Sequence, residues 1–60
     1  MTKLYVLSGP DMGQSFDLGS EPVYVGRSAH NTIRISDKAV SRRHLKIVKR
    51  GPRYFIKDLE

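Results

Sequence analysis

Short alternating segments, each closed by a cluster of turn residues, constrain this chain more tightly than any other feature of its sequence. Lys3–Leu7 places Leu4 and Val6 on one face of an extended segment. Ser8-Gly9-Pro10-Asp11-Met12-Gly13 then supplies the glycines and proline of a hairpin loop. Phe16 and Leu18 alternate with Ser15 and Asp17, and Gly19-Ser20-Glu21-Pro22 turns the chain again. Val23-Tyr24-Val25 is a β-branched and aromatic run that stops at Gly26, and Thr32-Ile33-Arg34-Ile35 alternates cleanly. Leu45 and Ile47 flank Lys46, Gly51-Pro52 breaks the run, and Tyr54–Leu59 resumes it. The expected strands are 3–7, 15–19, 23–26, 32–35, 44–49 and 53–59. Strand starts recurring about every ten residues read as all-β, a sandwich or barrel, with no helix longer than one turn.

Ser36–Arg50 is the one stretch that also permits a helix, with Ser36 as a cap and Gly51 as a stop. Leu45 and Ile47 argue against it. They would lie about 200° apart on a helix but share a face on a strand, so a strand is expected from His44 with Ser36–Arg43 as a loop. The chain has 60 residues, and a domain of that size buries only about 60% of the surface its unfolded form exposes. It has no cysteine, which removes disulfides and thiolate zinc sites as sources of stability, and two histidines are too few for a metal site. No metal and no cofactor is expected. Six short strands make a poor closed sandwich, so Ile33, Ile35, Leu45, Ile47 and Phe55 are expected to be partly uncovered. Open strand edges would then favour self-association.

Charge narrows the partner class. Eleven Lys and Arg against six Asp and Glu give a net charge of +5. The excess lies in residues 31–60, because residues 1–30 set Lys3 and Arg27 against Asp11, Asp17 and Glu21. Such a field attracts polyanions: nucleic acid, an acidic membrane surface or a phosphorylated protein. No apolar run approaches the length of a membrane span. The first residues lack the apolar stretch of a secretory leader, and with no cysteine present the expected location is the cytoplasm.

Two clusters carry possible chemistry. In Val25-Gly26-Arg27-Ser28 an arginine leaves the end of a strand just after a glycine. Glycine allows close backbone approach, and a guanidinium presents a planar fork of donors suited to phosphate oxygens. Ser36-Asp37-Lys38-Ala39-Val40-Ser41-Arg42-Arg43-His44 is a polar, basic loop leading into a strand. Its hydroxyls and backbone N–H groups could bond a phosphate that an arginine neutralises. Taken singly, Gly-Arg pairs and basic loops are usually solvated surface. No nucleophile–base–acid set is apparent around Ser41 or His44, so no catalytic residue is assigned. Gly9…Gly13 lacks the Gly-Lys-Ser/Thr ending of a phosphate loop. The aromatic residues suit half-buried strand positions better than a base-stacking platform.

Taken together, the order and spacing of Gly26-Arg27, Asn31, Ile33-Arg34-Ile35 and Ser41-Arg42-Arg43-His44 leading into Leu45-Lys46-Ile47 resemble the forkhead-associated (FHA) domain. Gly9…Gly13…Phe16-Asp17-Leu18 and Tyr54–Leu59 are similar to that family's flanking strands. The resemblance implies a β-sandwich of the FHA/SMAD-like type that reads phosphothreonine peptides with loops at one end. It implies phosphopeptide contacts from Arg27, Ser41 and Arg42, with Gly26, Asn31 and His44 supporting the binding loops. It also implies a downstream segment of the form Ser-x-Asn-Gly-Thr, so residues 1–60 are expected to be the N-terminal part of a single, incomplete sandwich. The function expected is a non-enzymatic phosphothreonine-binding module whose partner is a phosphorylated protein or peptide, with no membrane involved. The alternative is a small basic nucleic-acid binder using Arg42, Arg43, Lys46, Lys49, Arg50 and Arg53, which has charge but no readout element.

Overall fold

The computed structural model describes residues 2–59; Met1 and Glu60, which the sequence reading includes in the domain, lie outside the described residues. Six strands follow in chain order: β1 (Thr2–Tyr5), β2 (Ser15–Leu18), β3 (Val23–Gly26), β4 (Ile33–Arg34), β5 (Leu45–Arg50) and β6 (Arg53–Asp58). Among the described residues there is no helix, so Ser36–Arg43 is a loop and the helical alternative falls.

The strands form two sheets. β1 and β2 make an antiparallel hairpin, and the larger sheet runs β4-β3-β5-β6. β3–β5 and β5–β6 are antiparallel, whereas β3 and β4 are parallel. Parallel neighbours ordinarily need a crossover of a dozen residues or more. Here only Val25↔Ile33 and Gly26↔Arg34 pair, at the sheet edge, so the connection has merely to arch back beside its own strand. The β5–β6 hairpin closes through Gly51-Pro52 between the partners Arg50 and Arg53. Gly51 has φ of 59°, the left-handed region that glycine enters without penalty, and Pro52 fixes the negative φ that follows; this order suits a type II′ turn.

The core lies between the sheets. Leu18, Val23, Val25, Ile33 and Ile47 are buried, and Leu4, Phe16, Ile35, Leu45 and Tyr54 pack against them. The Tyr54 hydroxyl donates to the Leu18 carbonyl at 3.0 Å, tying β6 to β2 across the core. The expected exposure of strand faces therefore needs correcting at two positions: Ile33 and Ile47 are only 3% and 4% exposed, because the β1–β2 hairpin covers that part of the larger sheet. Phe55 at 47% and Ile56 at 69% do remain open on β6.

Candidate functional site

Two connections leave one end of the larger sheet, residues 27–32 after β3 and residues 35–44 before β5. They run side by side and are joined by the main chain. His44 N donates to Val25 O at 3.0 Å, Arg27 N to Ser41 O at 3.0 Å and Ser28 N to Arg42 O at 3.1 Å. Ile35 N donates to Gly26 O at 2.9 Å, which carries the β3–β4 pairing one residue further. The ladder of β3 thus continues past its last strand residue and sets Arg27 beside Ser41.

Gly26 is what lets these segments approach. A Cβ at this position would lie 2.8 Å from Asn31 Nδ2 and 2.9 Å from the carbonyl carbon of Arg42, closer than real Cβ atoms come. Asn31 Nδ2 donates to Ser28 O at 2.8 Å and to Arg42 O at 2.6 Å, so one amide clamps both connections. Arg42 O accepts from Ser28 N and from Asn31, using both of its lone pairs. Ser41 N donates to His44 Nδ1 at 3.1 Å, which makes that nitrogen an acceptor and closes the turn into β5. The His44 carbonyl in turn accepts from Leu59 N at 3.0 Å.

Besides the bond from its N–H to Ser41, Arg27 has two further partners. Its Nε donates to Val40 O at 3.1 Å, and its own carbonyl accepts from Arg34 Nε at 3.0 Å. The Nη groups of Arg27, the Ser41 hydroxyl and the Arg42 guanidinium make no hydrogen bond or ion pair with any described residue. Arg27 and Ser41 are half-buried and Arg42 is exposed. Guanidinium groups and hydroxyls with unused donors are chemically suited to oxygen-rich anions. Among the described residues no cluster of His, Asp and Glu could hold a metal ion.

All six residues singled out from the sequence fall in this region, and three further contacts were not foreseen. Asp11, in the β1–β2 loop, accepts from Ser36 N at 2.7 Å and from the Ser36 hydroxyl at 3.3 Å, bracing the 35–44 connection from the other sheet. No spacing in the sequence signals a pairing 25 residues apart. Arg34 steadies the Arg27 carbonyl. Arg43 and Lys46 both stand over the Tyr24 ring, at 4.9 and 5.6 Å from its centroid.

A family model described as the inner membrane component of T3SS, cytoplasmic domain, matches residues 5–60. The FHA domain-containing protein FhaB of Mycolicibacterium smegmatis is 33% identical over 57 residues, covering 95% of this chain and 37% of that protein. FhaB of Mycobacterium tuberculosis is 32% identical over 56 residues, covering 93% and 36%. Among solved structures, one from a structural and functional analysis of phosphothreonine-dependent FHA domain interactions superposes with a TM-score of 0.83 at 29% identity, covering 97% of this chain and 58% of the other. The FhaA FHA domain complexed with the intracellular domain of Rv3910 superposes with a TM-score of 0.74 at 33% identity, covering 80% and 53%. The chain therefore spans little more than a third of the FhaB proteins and somewhat over half of the solved chains.

Proposed function

Because this chain belongs to the forkhead-associated family, we propose that it is a module binding phosphothreonine-containing segments of other proteins, without chemical change to them. The observation that supports this reading is the main-chain pairing of residues 25–28 with residues 41–44, which puts Arg27, Ser41 and Arg42 on adjoining connections while the Arg27 Nη groups, the Ser41 hydroxyl and the Arg42 guanidinium have no partner among the described residues. A phosphothreonine brings about −1.5 to −2 charges and three acceptor oxygens at neutral pH. Arg27 and Arg42 would neutralise it through charge-assisted bonds, and Ser41 would add a neutral one. Gly26, Asn31 and His44 would act through the loops rather than on the ligand. The solved relatives come from work on phosphothreonine-dependent FHA interactions and from a complex with an intracellular domain, which supports the same partner class and a cytoplasmic setting. No counterpart of the Asn-Gly-Thr segment falls within the 60 residues, so affinity measured on this stretch is a lower limit for a longer protein that carries one.

Calorimetry with a phosphothreonine peptide, its unphosphorylated twin and a DNA duplex tests the reading. Only the phosphopeptide is expected to bind at physiological salt. Arg27→Ala should cost more than Ser41→Ala, since a hydrogen bond to a charged group contributes about 1.5–3 kcal/mol and a neutral one about 0.5–1.5. His44→Ala should lower both affinity and melting temperature, because Ser41 N loses its acceptor. Equal binding of both peptides, or an Arg27→Ala variant as tight as wild type, would refute the proposal.

A further inference from the structure

The outer face of β5 and β6, away from the core, has a composition that the phosphate site does not explain. Residues facing one way along a strand recur every second position, and the register sets Lys46 opposite Lys57, Val48 opposite Phe55 and Arg50 opposite Arg53. Two like-charged pairs thus flank one apolar pair. Like charges directly opposite each other destabilise a sheet, and no carboxylate lies among these six residues to relieve them. On the β3 side Tyr24 is registered against Lys46 and carries the Arg43 guanidinium over its ring. Lys46, Val48, Arg50, Phe55, Ile56 and Lys57 line a shallow groove of about 370 Å³ on this part of the sheet.

We propose that this face is a second docking surface, for an unphosphorylated acidic segment of a protein partner. The segment would lie extended along β5, with an acidic residue over each basic pair and an apolar side chain between them on Val48 and Phe55. The pitch supports this choice. Lys46 and Arg50 are four residues apart, about 13 Å at about 3.3 Å per residue, and an extended peptide of the form acidic-x-apolar-x-acidic has the same pitch. Arg43, Lys46, Arg50, Arg53 and Lys57 supply the complementary charge. A lipid headgroup or a nucleic-acid backbone would also meet the cations, but neither would make use of an apolar strip between them. The surface joins the phosphate site through Arg43, which follows Arg42, yet it requires none of Arg27, Ser41 or Arg42.

The test uses the full chain at low salt and fluorescence anisotropy with three labelled peptides. The first has the core Glu-Ser-Leu-Ser-Glu, the second Gln-Ser-Leu-Ser-Gln, and the third is a scramble of the first. The Glu peptide should bind at least about tenfold tighter than either control, and weaken with added salt. Arg53→Gln/Lys57→Gln should reduce that binding at least about tenfold, and Arg27→Ala should leave it unchanged, which separates this surface from the phosphate site. Melting curves should show the double variant as stable as wild type or more so, since a like-charge contact is relieved at each pair. If that variant melted early, Lys46→Gln/Arg50→Gln on β5 carries the same expectation. Equal binding of the scrambled or Gln peptide would overturn the proposal. So would full binding by a folded double variant, or tighter binding of phosphatidylserine vesicles or a DNA duplex at the same salt.

Discussion

At the scale of single residues, the tightest constraint is steric. Gly26 → Ala would push a methyl group against the Arg42 carbonyl and the Asn31 amide, and the Arg42 side of that contact is backbone. Overpacking of this kind costs about 1–3 kcal/mol, and in a domain this small each kcal/mol moves the midpoint by about 4–8 °C. Gly26→Ala should therefore lower the melting temperature by several degrees and phosphopeptide affinity with it; an unchanged melt would mean the two connections can separate without cost. Asn31 shows what the arrangement tolerates. Its amide nitrogen serves two carbonyls, one on each connection, while its Oδ1 is buried with no protein partner among the described residues. The sequence suggested Asn31 as a brace of the loop between the third and fourth strands. It did not reveal that the brace reaches across to Arg42, because the partner is a carbonyl and any residue provides one. Residues 42–43 form a turn ahead of β5, and the Arg43 guanidinium lies over the Tyr24 ring.

At the scale of strands and loops, the legible elements are those whose side chains alternate between core and solvent. β2, β3, β5 and β6 appear within about a residue of where alternation and turn residues place them. β1 is assigned Thr2–Tyr5 rather than 3–7, although Val6 N and O still bond across the hairpin to Gln14 and Gly13. β4 is two residues long and parallel to β3; alternation in Thr32–Ile35 predicts an extended segment but carries no information on direction or partner. The link between sheets was equally hidden, since Tyr54 read only as an aromatic strand residue. Its hydroxyl bond to the Leu18 carbonyl is one polar bond between the sheets. Tyr54→Phe keeps the ring and removes that bond, and should cost about 0.5–1.5 kcal/mol. The check is a denaturant melt. An unchanged midpoint would show that packing of the ring alone holds β6 to β2.

At the scale of the whole molecule, eleven Lys and Arg outnumber six Asp and Glu. Lys3 and Asp17 form an ion pair on the surface, in the half of the chain that has little net charge. The basic half instead stacks Lys46 on Lys57 and Arg50 on Arg53. Salt should therefore stabilise this protein: raising ionic strength to about 0.15 M shortens the Debye length to about 8 Å and relieves repulsions of about 0.2–1 kcal/mol for each opposed pair. Melting temperature should climb by several degrees from very low salt, and a fall would mean that attraction dominates the surface. Among the described residues no helix is long and apolar enough to cross a membrane. The main-chain bonds between residues 25–28 and 41–44 bear on how such a module could change its ligand over generations. Most of the bonds that shape the two connections run through amides, carbonyls, Asn31 and His44, and the side chains at positions 29, 30, 42 and 43 contribute no hydrogen bond to them. Those four positions can be randomised while the frame stays in register. Selection on a library of this kind should return folded variants with altered preferences, whereas the same randomisation at 26, 31 and 44 should return few that fold.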